Sequence, residues 1–301
     1  MVKKRGLFTA LIGGIIFVLM VGTALAAPID LQIGCRPQAM GGAFVAVADD
    51  INAVYWNPAG LKLVKDKGFS FMHSNPFDIS DVSLDYIAFV SPDALTWMKG
   101  ALGLSYLRLG AVFEEGKGGI TTSEGEENCF TLSVGGAIWE DSLYYGINAK
   151  ALGISFEGEE NRSGMGFDFG ILWKIDKFFS AGMMLRNLSS RLGDENFPLE
   201  KRFGVAGKLL GDKLIVAVDL NSKEEVEGEK DYWGSHFGAE GLLTDFLALR
   251  LGLDRGSLTA GIGFKFGGAK KKSPTGVLDY SYAENEELNY THRFSLTVLF
   301  K

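Results

Sequence analysis

The sequence predicts an all-β chain, a transmembrane antiparallel β-barrel of about 14 strands with an N-terminal hatch segment plugging the lumen. Three observations predict it. Apolar residues alternate with small or polar ones, with period 2, almost without interruption from Gly68 onward. The faces opposite the apolar ones carry glycine, alanine and serine rather than the dense charge of a solvated sheet. Short connections alternate with long ones, as in barrels that keep turns on one side of a membrane and loops on the other. Forty glycines against seven prolines, with 22 Phe, 9 Tyr and 5 Trp, supply the composition such a wall requires.

Residues 1–26 have the parts of a signal peptide. Lys3, Lys4 and Arg5 form a basic start, Leu7–Val21 an apolar run, and Ala24-Leu25-Ala26 a small-residue cleavage site. No later run is apolar for long enough to cross a bilayer as a helix. Losing the three basic residues takes the net charge from −7 to −10, which argues against nucleic acid as a partner. Cys35 and Cys129 are read as free thiols, with a disulfide between them as the alternative in an oxidising compartment.

Residues 27–67 form the expected hatch. Met40-Gly41-Gly42 allows tight turns that glycine makes at little cost. Asp49 or Asp50 is placed to cap a helical turn running through Tyr55, and Asn57-Pro58 to open a second one. A wedge of this length buries no core of its own and needs a container.

The string MGGAFVAVADD followed by YWNPAGL resembles the N-terminal signature of the FadL and PorV group of outer-membrane barrels. The matching residues are Met40, Gly41, Gly42, Ala43, Ala48, Asp49, Asp50, Trp56, Asn57, Pro58, Ala59, Gly60 and Leu61. The resemblance implies a hatch inside a barrel in the bacterial outer membrane. FadL relatives pass long-chain fatty acids and other hydrophobic small molecules by diffusion, so hatch-gated passive transport is the expected function. Phe44, Val45, Val47, Tyr55 and Trp56 are the candidate path-lining residues, with plain packing as their other reading. PorV relatives serve protein secretion or surface attachment, and a secretion-system protein is the alternative partner. Either role implies contact with outer-membrane lipid and lipopolysaccharide, and with barrel-assembly machinery during biogenesis.

Residues 68–301 are read as the barrel, with strands near 68–74, 82–91, 99–110, 128–139, 142–155, 164–174, 178–188, 201–209, 213–221, 232–241, 245–254, 257–266, 276–283 and 290–300. Leu107–Leu109 breaks the alternation of its strand and suggests a bulge. By alternation Asp168, Arg202, Asp219, Arg250, Asp254 and Arg293 point into the lumen, as does Asp85. Some inward-facing Arg or Lys, Lys208 among them and with Arg202 and Arg250 the best candidates, are expected to hold Asp49 and Asp50, with pairing among wall residues alone as the alternative. The long loops are acidic, with Glu124, Glu157 and Glu224 among their carboxylates; they read as a solvated surface, or as sites for cations bridging lipopolysaccharide phosphates. The end of the last strand, Phe294–Phe300 with Phe300 next to last, resembles the aromatic-ended signal read by barrel-assembly machinery, from whose commonest form the trailing Lys301 departs.

No motif points to an enzyme, a metal or a cofactor. The glycine clusters miss the nucleotide-loop spacing. Ser235 and His236 are neighbours on one strand, so their side chains face opposite ways and form no nucleophile–base pair.

Overall fold

The computed structural model describes residues 32–79, 81–96, 99–115, 121–139, 142–158, 160–193, 195–223, 232–268, 273–285 and 289–300. The expected signal peptide and much of the acidic loops, at 116–120 and 224–231, lie outside the described residues. In chain order the strands are β1 Lys67–Asn75, β2 Val82–Leu95, β3 Gly100–Glu115, β4 Thr121–Trp139 and β5 Leu143–Phe156. They continue with β6 Arg162–Lys174, β7 Phe179–Leu192, β8 Glu195–Asn196, β9 Glu200–Leu209 and β10 Leu214–Lys223. The last are β11 Tyr232–Thr244, β12 Leu247–Asp254, β13 Ser257–Gly267, β14 Thr275–Ala283 and β15 Thr291–Phe300.

Every strand pairs antiparallel with its sequence neighbour, apart from the two-residue β8, which hangs on β7 while β7 passes on to β9. The ring closes through β1 and β15, where Lys67 faces Phe300 and Asn75 faces His292. Fourteen strands therefore form a barrel with no edge.

The two faces separate as the alternation requires. On β1, Phe69 and Phe71 point out while Ser70, Met72 and Ser74 are buried. The same outward row continues through Phe167 and Trp173, Leu249 and Leu251, Ile262 and Phe264, and Phe294 and Leu296. Trp139, Trp173, Phe178 and Phe246 cluster at the rim of short turns, and Trp233 and Tyr290 at the rim of long loops. An apolar belt between two aromatic girdles is the surface of a protein immersed in a bilayer, and excludes a soluble sandwich. Phe167→Arg, at mid-strand on this belt, is expected to destabilise the barrel by about 2–4 kcal/mol, read as a lower denaturant midpoint of the refolded protein.

Two local expectations fail. Pairing between β3 and β4 is regular from Tyr106 opposite Phe130 to Leu109 opposite Glu127, so there is no bulge at Leu107–Leu109. Those leucines sit on the inward face of a regular strand, where the lumen itself is apolar. The true irregularities include two in β7 opposite Met165–Phe169, where Asn187 and Ser189 take φ of 64° and 56°. Asp85 does not face the lumen: it pairs with His73 and Arg108 on the outer surface, while Leu84 and Tyr86 face in.

The core of the molecule lies inside the barrel. From Gln32 to Val64 the chain folds in the lumen as helix α1 (Cys35–Ala39), helix α2 (Ala53–Trp56) and a 3-10 turn (Pro58–Leu63). Helix α1 lies against β13 and β14, and the 3-10 turn against β4 and β5. Ile33, Met40, Phe44, Ile51, Trp56 and Leu61 are fully buried there. The wall's glycines make room for this inner segment. A Cβ on Gly146 would lie 2.2 Å from the Pro58 carbonyl carbon, and one on Gly252 2.2 Å from the Gly41 nitrogen.

Candidate functional site

The inner segment is fixed to the wall by three groups of contacts. In the first, Arg36 is the hub. Its Nε and Nη2 donate to the two oxygens of Glu240, both at 2.8 Å, in the fork geometry that suits guanidinium and carboxylate. Its Nη1 donates to Asp49 at 2.7 Å and Asp50 at 2.9 Å. Lys208 adds a bond to Asp49 at 3.2 Å. On the wall side, Arg250 Nε donates to Glu240 at 2.6 Å and its Nη1 to Asp279 at 2.6 Å. Of the inward-facing cations it is thus Lys208 that holds Asp49, and not the best candidates Arg202 and Arg250. Glu240 stands directly across the ladder from Arg250 and takes it, while Arg36 lies within reach of both segment acids.

Burial would raise the Asp49 carboxyl, but Arg36 and Lys208 together hold it well below the usual carboxylate range. A lowered folded pKa contributes stability that is complete above the unfolded value near 4 and is lost only as pH falls through the folded one. Protease protection of the inner segment is therefore expected to stay flat from pH 8 to about pH 4, and a loss of protection between pH 7 and 5 would contradict this assignment.

The second group grips the turns that Gly41 and Gly42 make at φ of 63° and 77°. Asp219 Oδ2 accepts from the backbone nitrogens of Phe44 and Val45, both at 2.9 Å. Arg202 donates to the Gly42 carbonyl at 3.1 Å and lies over the Trp56 ring at 5.0 Å. His236 Nδ1 lies 2.9 Å from the Gly41 carbonyl and 3.0 Å from Asp254, whose other oxygen accepts from Gln32 at 2.6 Å. A buried peptide turn has its amides and carbonyls matched by a carboxylate, a guanidinium and an imidazole. With His236 committed to this task, it makes no pair with Ser235.

In the third group, Asn57 accepts from Ala59 N at 3.1 Å and donates to Val45 O at 2.9 Å and Ile171 O at 3.0 Å. It caps the 3-10 turn that Pro58 begins, and Gly60 packs so closely that a Cβ there would strike the Ala48 carbonyl. Asp50 Oδ1 accepts from Asn52 N at 2.8 Å in the turn that leads into α2, whose N-cap is Asn52 and which has no side-chain capping bond, contrary to expectation. Asp168 takes Lys150 Nζ at 2.6 Å, Asn187 N at 2.9 Å and Asn148 Nδ2 at 3.1 Å. It thereby satisfies the backbone amide that the β7 irregularity frees, and Asn148 reaches on to the Val54 carbonyl at 3.0 Å. Arg293 is buried in the wall on β15, near Cys35. Cys35 and Cys129 are both free thiols, and burial pushes Cys35 up to about 11.

Between the inner segment and the long-loop rim lies a luminal pocket of about 230 Å³. Val54 and Tyr55 line it from the segment, Leu107 and Leu109 from β3, Leu152 from β5, Leu192 from the end of β7 and Phe197 from the connection to β9. Ser105, Glu127, Asn128, Thr131, Asn148, Lys150, Asp168 and Arg186 supply its polar groups. Of the candidate path residues only Tyr55 meets this space. Phe44, Val45, Val47 and Trp56 are packed into the buried core, with Trp56 Nε1 donating to Ile33 O at 2.7 Å. The pocket leucines escaped the motif-based reading. Their signal was the broken alternation at Leu107–Leu109, which marks apolar side chains facing a lumen rather than a bulge.

Wall and interior together define a transmembrane fourteen-stranded barrel filled by the N-terminal part of its own chain. No family model and no curated protein matches the sequence. Among solved structures, it resembles the toluene transporter TodX of Pseudomonas putida, with TM-score 0.64 and 12% identity over 91% of this chain and 98% of that one. It resembles the toluene transporter TbuX of Ralstonia pickettii with TM-score 0.61 and 15% identity, over 89% and 98% of the two chains. A Pseudomonas aeruginosa FadL homologue gives TM-score 0.57 and 11% identity over 86% and 95%. At such identities the likeness establishes the fold alone, a barrel built like those three, and it does not single out the PorV group.

Proposed function

We propose that this protein is an outer-membrane channel for passive passage of small hydrophobic molecules, with the inner segment as its gate. The observation that carries the reading is the luminal pocket, whose surface is mainly apolar at a depth where a water-filled pore would be polar. A solute entering from the long-loop rim meets leucines and Phe197, then stops on Val54 and Tyr55. Onward passage requires the segment to shift, and the latches at Arg36 and Asp219 set the resistance to that shift. The short turns would face the periplasm and the long loops the exterior.

At about 230 Å³ the pocket falls below the common 300–1,000 Å³ of ligand sites, which favours a single aromatic ring over a long acyl chain. The solved barrels of this fold named as toluene transporters fit that substrate class. A role as a secretion component gives no account of such a pocket. The test is uptake by intact cells, whose lipopolysaccharide leaflet slows hydrophobic solutes. Cells making the protein are expected to take up labelled toluene faster than cells without it and to gain little for palmitate. Equal gain for palmitate would overturn the size assignment, and no gain for either solute would overturn the channel.

A further inference from the structure

We propose, on the reading of this protein as a channel for hydrophobic solutes, that its luminal pocket selects an aromatic ring bearing one neutral hydroxyl, a phenol over a plain hydrocarbon. The register of the wall sorts the inward side chains of the pocket into rungs. Nearest the long loops, Leu109 faces Glu127 across the ladder. One rung deeper stand Tyr86, Leu107, Cys129 and Leu152, on four successive strands. The next rung is Ser105, Thr131 and Lys150. Val54 and Tyr55 of the inner segment close the space.

The polar groups at the deep end are of two kinds. Its cations are engaged: Lys150 reaches Asp168 at 2.6 Å and Asn187 at 2.7 Å, and Arg186 reaches Glu200 at 2.9 Å and the Tyr55 carbonyl at 3.2 Å. A solute bearing a carboxylate would pass Glu127 and find both cations already held by acids. The hydroxyls are not engaged. Tyr86 is only 4% exposed, and its hydroxyl lies among Ser105, Tyr55 and Cys129, all of which line the pocket. It nevertheless reaches hydrogen-bond geometry with no described group, Ser105 included. Thr131 Oγ1 has the Cys129 sulfur beside it, at 3.7 Å, a weak partner. A buried hydroxyl left in this state is costly, and an incoming hydroxyl relieves it.

The complementary solute follows from this layering. Its ring rests against Leu107, Leu152 and Val54, and its hydroxyl donates to one of Tyr86 and Ser105 while accepting from the other. A single phenol hydroxyl does both at once, whereas a hydrocarbon leaves Tyr86 unpaired. A second polar substituent on the far side of the ring would be pressed against the leucines. The volume of about 230 Å³ suits one ring.

Fluorine NMR of the full-length protein in detergent tests this, with 4-fluorophenol, fluorobenzene and 4-fluorobenzoate as ligands and empty micelles as the baseline. The phenol is expected to bind about fivefold more tightly than fluorobenzene, the net worth of one hydrogen bond, and the benzoate not at all. Tyr86→Phe is expected to abolish that preference; Ser105→Ala serves if that variant does not fold. Leu109→Trp, which fills the pocket, is expected to abolish binding of both neutral ligands. Equal affinity for the phenol and fluorobenzene would overturn the hydroxyl assignment and leave the channel reading standing. So would a preference that survives both Tyr86→Phe and Ser105→Ala, binding that survives Leu109→Trp, or benzoate bound as tightly as the phenol. Binding of neither neutral ligand would overturn the assignment and the channel reading together.

Discussion

Arg36→Ala is expected to loosen the inner segment while leaving the barrel closed. The substitution removes the donor that serves Asp49, Asp50 and both oxygens of Glu240, of which Glu240 is almost wholly buried. Truncating one partner of a buried ion pair typically costs about 3–5 kcal/mol, because the remaining charges lose their compensation. Lys208 still reaches Asp49 and Arg250 still reaches Glu240, which places the loss toward the lower end of that range. The wall ladders involve none of these side chains, so heat-resistant migration of the folded barrel is expected to persist. Protease cleavage within residues 36–64 is expected to rise sharply. Arg36→Lys keeps the charge but not the fork and is expected to fall between the two. Unchanged protection in Arg36→Ala would remove the hub from the account.

Gly146→Leu attacks the same seating by volume rather than charge. Gly146 stands between Gly135 and Gly170 across three adjacent strands, a row of wall positions without side chains against which Asn57 and Pro58 rest. A Cβ on Gly146 would overlap the Pro58 carbonyl carbon and the Ala59 nitrogen, both backbone atoms with no rotamer to escape into. Overpacking of a tight site costs about 1–3 kcal/mol or more, and here the 3-10 turn must move away as a unit. The expected result is a closed barrel with an unseated segment, seen as faster proteolysis and higher leak. If Gly146→Leu protects the segment as well as the wild type does, the close approach is not what seats it.

Much of this was legible in the sequence because a barrel wall repeats one simple instruction. Period-2 alternation locates all fourteen strands, since each residue's face follows from its neighbours'; β3 and β4 run further into their loop than the pattern indicates. The same rule placed Asp168, Arg202, Asp219, Arg250, Asp254 and Arg293 on the lumen side. Partner choice was not legible. Arg36 sits in a stretch that reads as apolar, and only folding brings it against Glu240, 204 positions away. Alternation also fails where both faces are apolar for different reasons. Leu107 and Leu109 point to a pocket while Leu104 points to lipid, and the sequence records only a run of hydrophobic residues. Asp85 departs the other way: alternation places it inward, but it is paired on the outer surface with His73.

Toluene uptake by intact cells making the wild type, Leu109→Trp or Gly146→Leu tests the central claim most directly. The account predicts uptake above background for the wild type, loss to background when Leu109→Trp fills the pocket, and a further gain when Gly146→Leu unseats the segment. Uptake indifferent to both substitutions, in barrels shown to be folded, would contradict a gated route through the lumen.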